Sequence, residues 1–107
     1  MISAAGQLGS PDLDCRRAAA RSLFDGGAVA DDVPALCDAL GDPDCRVRMW
    51  AAGALGKIPL PMGPSRSRDR LHAMSKGDAE PLCRAFARFA LRRMVGIADD
   101  PPEMAKE

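Results

Sequence analysis

GDPDCRVRMWAAGALGKI, residues 41–58, decides the fold. It opens on a turn: Gly41 and Pro43 break any preceding helix, and Asp44 stands where an N-cap or first-turn acid belongs. Stepping by about 100° per residue, Val47, Ala51, Ala54, Leu55 and Ile58 fall on one side of a helix, an apolar stripe that must be buried. Arg48, Ala52 and Gly56 fall on a second side, small enough for a neighbouring helix to approach closely. Met49, Trp50 and Gly53 fall on a third.

The cadence sounds twice more, as GSPDLDCRRAAARSLF (9–24) and GDAEPLCRAFARFALR (77–92). Without gaps, Gly9, Gly41 and Gly77 coincide, as do Arg16, Arg48 and Arg84; Ala19, Ala51 and Ala87; Leu23, Leu55 and Leu91. The offsets are 32 and then 36 residues. A period in the thirties built from helix formers marks an α-solenoid. The core columns pass through Cys15, Ala19, Ser22 and Leu23 in the first copy and Cys83, Ala87, Ala90, Leu91 and Met94 in the third.

Shorter helices fit between the long ones. DDVPALCDAL (31–40) lines up Val33, Leu36, Cys37 and Leu40, and SRDRLHAMSK (67–76) has Leu71 and Met74. The expectation is an all-α chain: a short right-handed α-solenoid of about three helix pairs, with five helices plus an N-terminal partial helix. Residues 1–97 form a single domain, with long helices at about 12–25, 44–57 and 80–97 and short ones at 31–40 and 66–75. Glu80 and Pro81 start the third long helix. Pro59, Pro61 and Pro64 forbid helix between the second and third copies, which predicts an inserted Pro-rich loop at 58–66. The remainder, 98–107, reads as a flexible acidic tail.

Composition narrows the function classes. Fifteen basic and fifteen acidic residues cancel, which argues against a general nucleic-acid or membrane-surface binder. Residues 57–93 nevertheless hold 9 basic and 3 acidic side chains. No apolar run reaches membrane-spanning length, and MISAAGQLGSPD has neither the basic start nor the apolar core of a secretion signal. Cys15, Cys37, Cys45 and Cys83 form no CxxC pair, and His72 is the only histidine. This usage reads as free buried thiols in a reducing cytoplasm, with no metal and no cofactor. No nucleophile–base set and no phosphate-loop, GxGxxG, GxSxG or HExxH motif occurs, so no catalytic residue is assigned and the chain is not read as an enzyme.

The order of short helix, GDPD-like turn and VRxxAAxALG-like helix resembles HEAT repeats. RVRMWAAGALGKI, CRRAAARSL and CRAFARFAL carry the resemblance over about residues 9–97, and the subgroup they look most like is the phycobilisome-lyase type. The resemblance implies a ladder between Arg16, Arg48 and Arg84 and acids at the helix starts, with Asp12, Asp14, Asp42 and Asp44 the available partners. It also implies that the second helix of each pair lines a concave wall. That wall would present Arg17 and Arg21, then Met49 and Trp50, then Phe86 and Phe89, the usual make-up of a protein-binding surface; the competing reading turns Trp50 and Phe86 inward as core.

On the outer side of the third long helix stand Arg84, Arg88 and Arg92, the last two where the second copy has the small residues Ala52 and Gly56. They either cap the solenoid with a polar face or form a basic strip for a ligand. The function expected is a non-catalytic protein–protein interaction module, an accessory subunit or assembly factor gripping a protein partner on its concave wall. Self-association through a solenoid end is open to such a stack. Two alternatives stand beside it. One is a bilin- or cofactor-handling factor, which the lyase-type resemblance implies. The other is nucleic-acid binding through the C-terminal Arg strip together with Arg66, Arg68 and Arg70.

Overall fold

A computed structural model describes residues 4–58 and 65–96. Six α-helices follow one another: α1 (Ala4–Gln7), α2 (Leu13–Gly26), α3 (Val33–Ala39), α4 (Cys45–Lys57), α5 (Ser65–Gly77) and α6 (Pro81–Met94). A 3-10 turn, Ala30–Asp32, leads into α3. No strand occurs among the described residues. The chain is an all-helical short solenoid: α4 packs between α2 and α6, and α1, α3 and α5 back this row as a second layer.

The starts of the long helices follow from their turns. Asp12 accepts a hydrogen bond from the Asp14 amide at 3.3 Å, and Asp44 accepts one from Val47 at 3.1 Å. The third start differs from expectation. Glu80 holds the N-cap position without a side-chain bond; Asp78, two residues earlier, accepts from its amide at 2.9 Å, and Pro81 supplies a preset φ. Helix α6 ends at Met94, not at 97, and α5 begins at Ser65. Most of the expected Pro-rich loop, 59–64, and the expected tail, 98–107, lie outside the described residues.

The core runs between the two layers. Ala19, Leu23, Val47, Ala51, Ala54, Leu55, Cys83, Ala87 and Ala90 meet Val33, Leu36, Leu71 and Met74 there. Two core-column residues stay outside: Ser22 is exposed and Cys15 is half-buried, its thiol donating to Asp12 Oδ2 at 3.2 Å. Leu91 is half-buried, packed against the edge of the cluster.

Two glycines set the spacing of the long-helix row. A Cβ on Gly56 would stand 2.8 Å from Ala90 Cα, so the backbones of α4 and α6 touch there. A Cβ on Gly53 would meet Phe24 Cδ1 at 2.6 Å and Phe86 Cδ1 at 3.0 Å. The groove left by Gly53 is filled by Phe24 and Phe86, packed edge to face with centroids 5.6 Å apart; Phe89 joins Phe86 at 6.4 Å.

This packing corrects the aromatic wall. Met49, Trp50, Phe86 and Phe89 are 4%, 4%, 0% and 2% exposed, so none of the four presents a surface to a partner. The reason is geometric. A middle helix has neighbours on both flanks as well as behind, so every residue of α4 from Met49 to Gly56 is buried. The phenyl rings of α6 are long enough to reach back over the missing side chains of Gly53 and Gly56.

Candidate protein-docking site

The turns that start the long helices carry one hydrogen-bond motif three times. Ser10, Asp42 and Asp78 occupy the same place, and each accepts from the amide two residues on: Asp12, Asp44 and Glu80, at 3.1, 2.9 and 2.9 Å. Arg16, Arg48 and Arg84 each lie six residues beyond, and each turns Nη1 back onto that turn's own carbonyl, Ser10 O, Asp42 O and Asp78 O. Docking of Nη1 aims the other edge of the guanidinium at the following repeat. Arg16 Nε reaches Asp42 Oδ2 at 3.0 Å; Arg48 Nε and Nη2 grip both oxygens of Asp78 at 2.8 and 3.2 Å. The acceptors are therefore Asp42 and Asp78. Asp12 serves its own helix, and Asp44 serves Val47 and Arg17.

Arg17 belongs to this network rather than to an open wall. Its Nε and Nη2 hold Asp44 Oδ2 and Oδ1 at 3.1 and 2.7 Å, a bidentate bridge from α2 to the start of α4. That contact, helped by the Val47 amide and opposed by burial, holds the Asp44 carboxyl below its ordinary range and raises Arg17. At Asp78, burial pushes the carboxyl upward, but the bonds from Arg48 and the Glu80 amide outweigh it and leave it lowered.

A second ladder closes the opposite ends of the same helices. Lys57 Nζ donates to Phe24 O at 3.0 Å, and Arg93 Nε donates to Gly56 O at 2.8 Å. Lys57 and Arg93 stand 36 residues apart, and their acceptors sit in one alignment column, 32 apart. Each cation thus neutralises carbonyls at the C-terminal end of the preceding long helix, where the helix dipole is negative. Sequence reasoning missed this ladder and missed Asp78 as an acceptor. The columns themselves, Lys57 over Arg93 and Asp42 over Asp78, held the signal.

Cations also lie across the aromatic side chains of the long-helix row. Arg21 and Arg46 approach the Trp50 ring at 5.7 and 5.9 Å, Lys57 the Phe24 ring at 4.1 Å and Arg93 the Phe89 ring at 5.6 Å. Arg46, Trp50 and Lys57 share one stripe of α4, turned well away from Val47, Leu55 and Ile58. Arg21 is well exposed and pairs with Asp25 at 3.3 Å. The face of α2, α4 and α6 away from the core is therefore cationic over a buried aromatic layer. Arg46, Lys57 and Arg93 carry it as much as the predicted Arg21.

Arg84 is half-buried, and Arg88 and Arg92 are exposed along the outer side of α6. His72 is exposed on α5. Cys37 and Cys83 are buried, and burial pushes the Cys83 thiol up to about 12. No group of three His, Cys, Asp or Glu side chains suited to a metal occurs among the described residues, and none of the described helices is long and apolar enough to cross a membrane.

Comparison with known proteins agrees with this architecture. The sequence model for HEAT repeats matches residues 3–92. No individual curated protein matches the chain. HEAT repeats commonly mediate protein–protein contacts and are in general non-catalytic scaffolds. Three copies of one turn-and-helix unit, pinned by arginines that reach from each repeat to the next, and a match covering most of the length place this chain in the HEAT-repeat family.

Proposed function

We propose that this chain is a non-catalytic protein-binding module, working as an accessory subunit or assembly factor in the cytoplasm, whose α2–α4–α6 face docks an acidic segment of a protein partner. The observation that carries the reading is the set of four cation–ring contacts spanning all three long helices. Those contacts hold Arg21, Arg46, Lys57 and Arg93 in place over rigid helices. A surface ordered before contact loses little side-chain freedom on binding. Positive charge on one face also speeds encounter with an acidic partner and makes it salt-dependent.

The lyase-type reading would need a reactive thiol for a bilin. Cys83 is buried with its thiol pushed up, and Cys15 is held protonated by its bond to Asp12, so no observation favours that reading over protein binding. The test is a pull-down from native extract, read by mass spectrometry, comparing wild type with the charge reversals Arg21→Glu and Arg46→Glu. Both variants should keep their helical circular dichroism and lose a salt-sensitive acidic protein that the wild type retains. If folded variants capture the same proteins as wild type, the proposed face is wrong.

A further inference from the structure

We infer that the α6 end of the solenoid is a second docking site, for a helix of another protein that begins with an aspartate-bearing turn and carries acidic residues along one side. Two rungs of the arginine ladder are closed and the third is open. Arg84 docks Nη1 on Asp78 O, as Arg48 docks on Asp42 O and Arg16 on Ser10 O. In the closed rungs, the remaining edge takes the carboxylate of the next turn, Asp42 or Asp78. For Arg84, Nε and Nη2 have no partner among the described residues. The guanidinium is thus already held in the pose that receives an aspartate.

The rest of that side defines the occupant. Beyond Arg48, helix α4 offers Ala52 and Gly56, and α6 closes onto them until Ala90 Cα nearly touches Gly56. Beyond Arg84, the same places hold Arg88 and Arg92, both exposed. Arg84 and Arg88 therefore present two guanidinium groups to an occupant over about 6 Å of helix, at a rise of about 1.5 Å per residue; Arg92 stands a further turn on and is already engaged. A helix with small apolar residues cannot close on this surface; one with acids at matching spacing can.

A second copy of this chain does not fit. Its leading turn has Ser10 where Asp42 and Asp78 stand, so Arg84 would meet no carboxylate. Asp25 occupies the column of Lys57 and Arg93, so the returning rung at the C-terminal ends would be lost as well. Head-to-tail stacking of identical chains would form neither ladder.

The probe is a fluorescein-labelled helical peptide that starts Gly-Asp-Pro-Asp and carries Glu at every fourth position. Its partner probe has Asn in place of the first Asp, and an oligothymidylate of equal charge is the third. Fluorescence anisotropy should give saturable binding of the Asp peptide to the wild-type chain. Arg84→Lys and Arg88→Ala should each weaken it about tenfold, the loss of one good charge-assisted contact. The Asn peptide should bind about tenfold less tightly and be indifferent to Arg84→Lys, since the broken contact is the same one. Arg88 is exposed and forms no hydrogen bond or ion pair among the described residues, and Arg21→Glu should leave peptide binding intact, which separates this end from the α2–α4–α6 face. The inference is overturned by absent saturation, by equal losses for both peptides on Arg84→Lys, or by tighter binding of the oligothymidylate. Concentration-dependent dimers of the wild-type chain in sedimentation, dissolved by Arg88→Glu, would assign the surface to a second copy and overturn it too.

Discussion

Gly56→Ala tests how closely the repeats are stacked. In a helix with free space around it, replacing Gly by Ala stabilises by about 0.5–1 kcal/mol, because Ala has less backbone freedom to lose. At position 56 the added Cβ would lie 2.8 Å from Ala90 Cα and 3.1 Å from both Ala90 Cβ and Phe89 Cε2. Ordinary contact starts near 3.4 Å, so the backbones of α4 and α6 must separate by 0.6 Å at that point. The same peptide unit accepts the 2.8 Å bond from Arg93, which the separation would stretch toward the edge of useful geometry. Overpacking of this kind costs about 1–3 kcal/mol. Set against the helix gain, the net expectation is a loss of about 1–2 kcal/mol, or a Tm lower by about 5–10 °C. Gly77→Ala is the matched control: it is the last residue of α5, and its Cβ would meet nothing within 4 Å. Urea unfolding followed by far-ultraviolet circular dichroism should move the two midpoints in opposite directions. A Gly56→Ala variant as stable as wild type would refute the close backbone contact and, with it, the reason for small residues on that side of α4.

Two further outcomes follow from the ladder and the thiols. The Asp44 and Asp78 carboxyls are held below their unfolded values, so their contribution is fully present above about pH 4 and is lost as pH falls through the lower folded pKa. Unfolding titrations should show stability dropping on that acid limb; Asp78→Asn should lower stability at neutral pH by about 1–3 kcal/mol and flatten the limb, and an unchanged limb would remove Asp78 from the account. Cys83 and Cys37 should resist a thiol-specific alkylating reagent until urea unfolds the chain, since both are buried and the Cys83 thiol is pushed up to about 12; rapid labelling of Cys83 in the native protein, located by peptide mapping, would contradict that burial.

The repeat was legible because it is written in columns. Ala19, Ala51 and Ala87 share a register, and so do Arg16, Arg48 and Arg84; a helix wheel then yields the core side without any tertiary knowledge. The wheel failed at Met49 and Phe89, and Trp50 and Phe86 took the inward of the two readings it left open, for a physical reason. It gives direction but not reach, and it treats each helix as alone. Whether a side chain at the margin of the core is buried depends on the neighbouring helices: α2 and α6 flank α4 on both sides of Met49 and Trp50, and α4 lacks side chains at Gly53 and Gly56, where Phe86 and Phe89 reach in. Glycine read only as permission for close approach therefore hid its other consequence, a groove that draws in the rings beside it.

Direction within the two ladders explains how three short repeats make a fixed surface. The arginine ladder runs forward, from Arg16 to Asp42 and from Arg48 to Asp78. The other runs backward, from Lys57 to Phe24 O and from Arg93 to Gly56 O. Each interface between long helices is thus tied at both ends, by donors that belong to opposite partners. Sliding one helix along its neighbour would stretch bonds at both ends together, and pivoting about one end would open the other. A single ladder permits the pivot; the pair does not. The last repeat is tied in this way on its α4 side only: on its outer side, Arg84 reaches forward to no carboxylate among the described residues. The open rung is therefore a place in the stack where binding of another chain can add to its order.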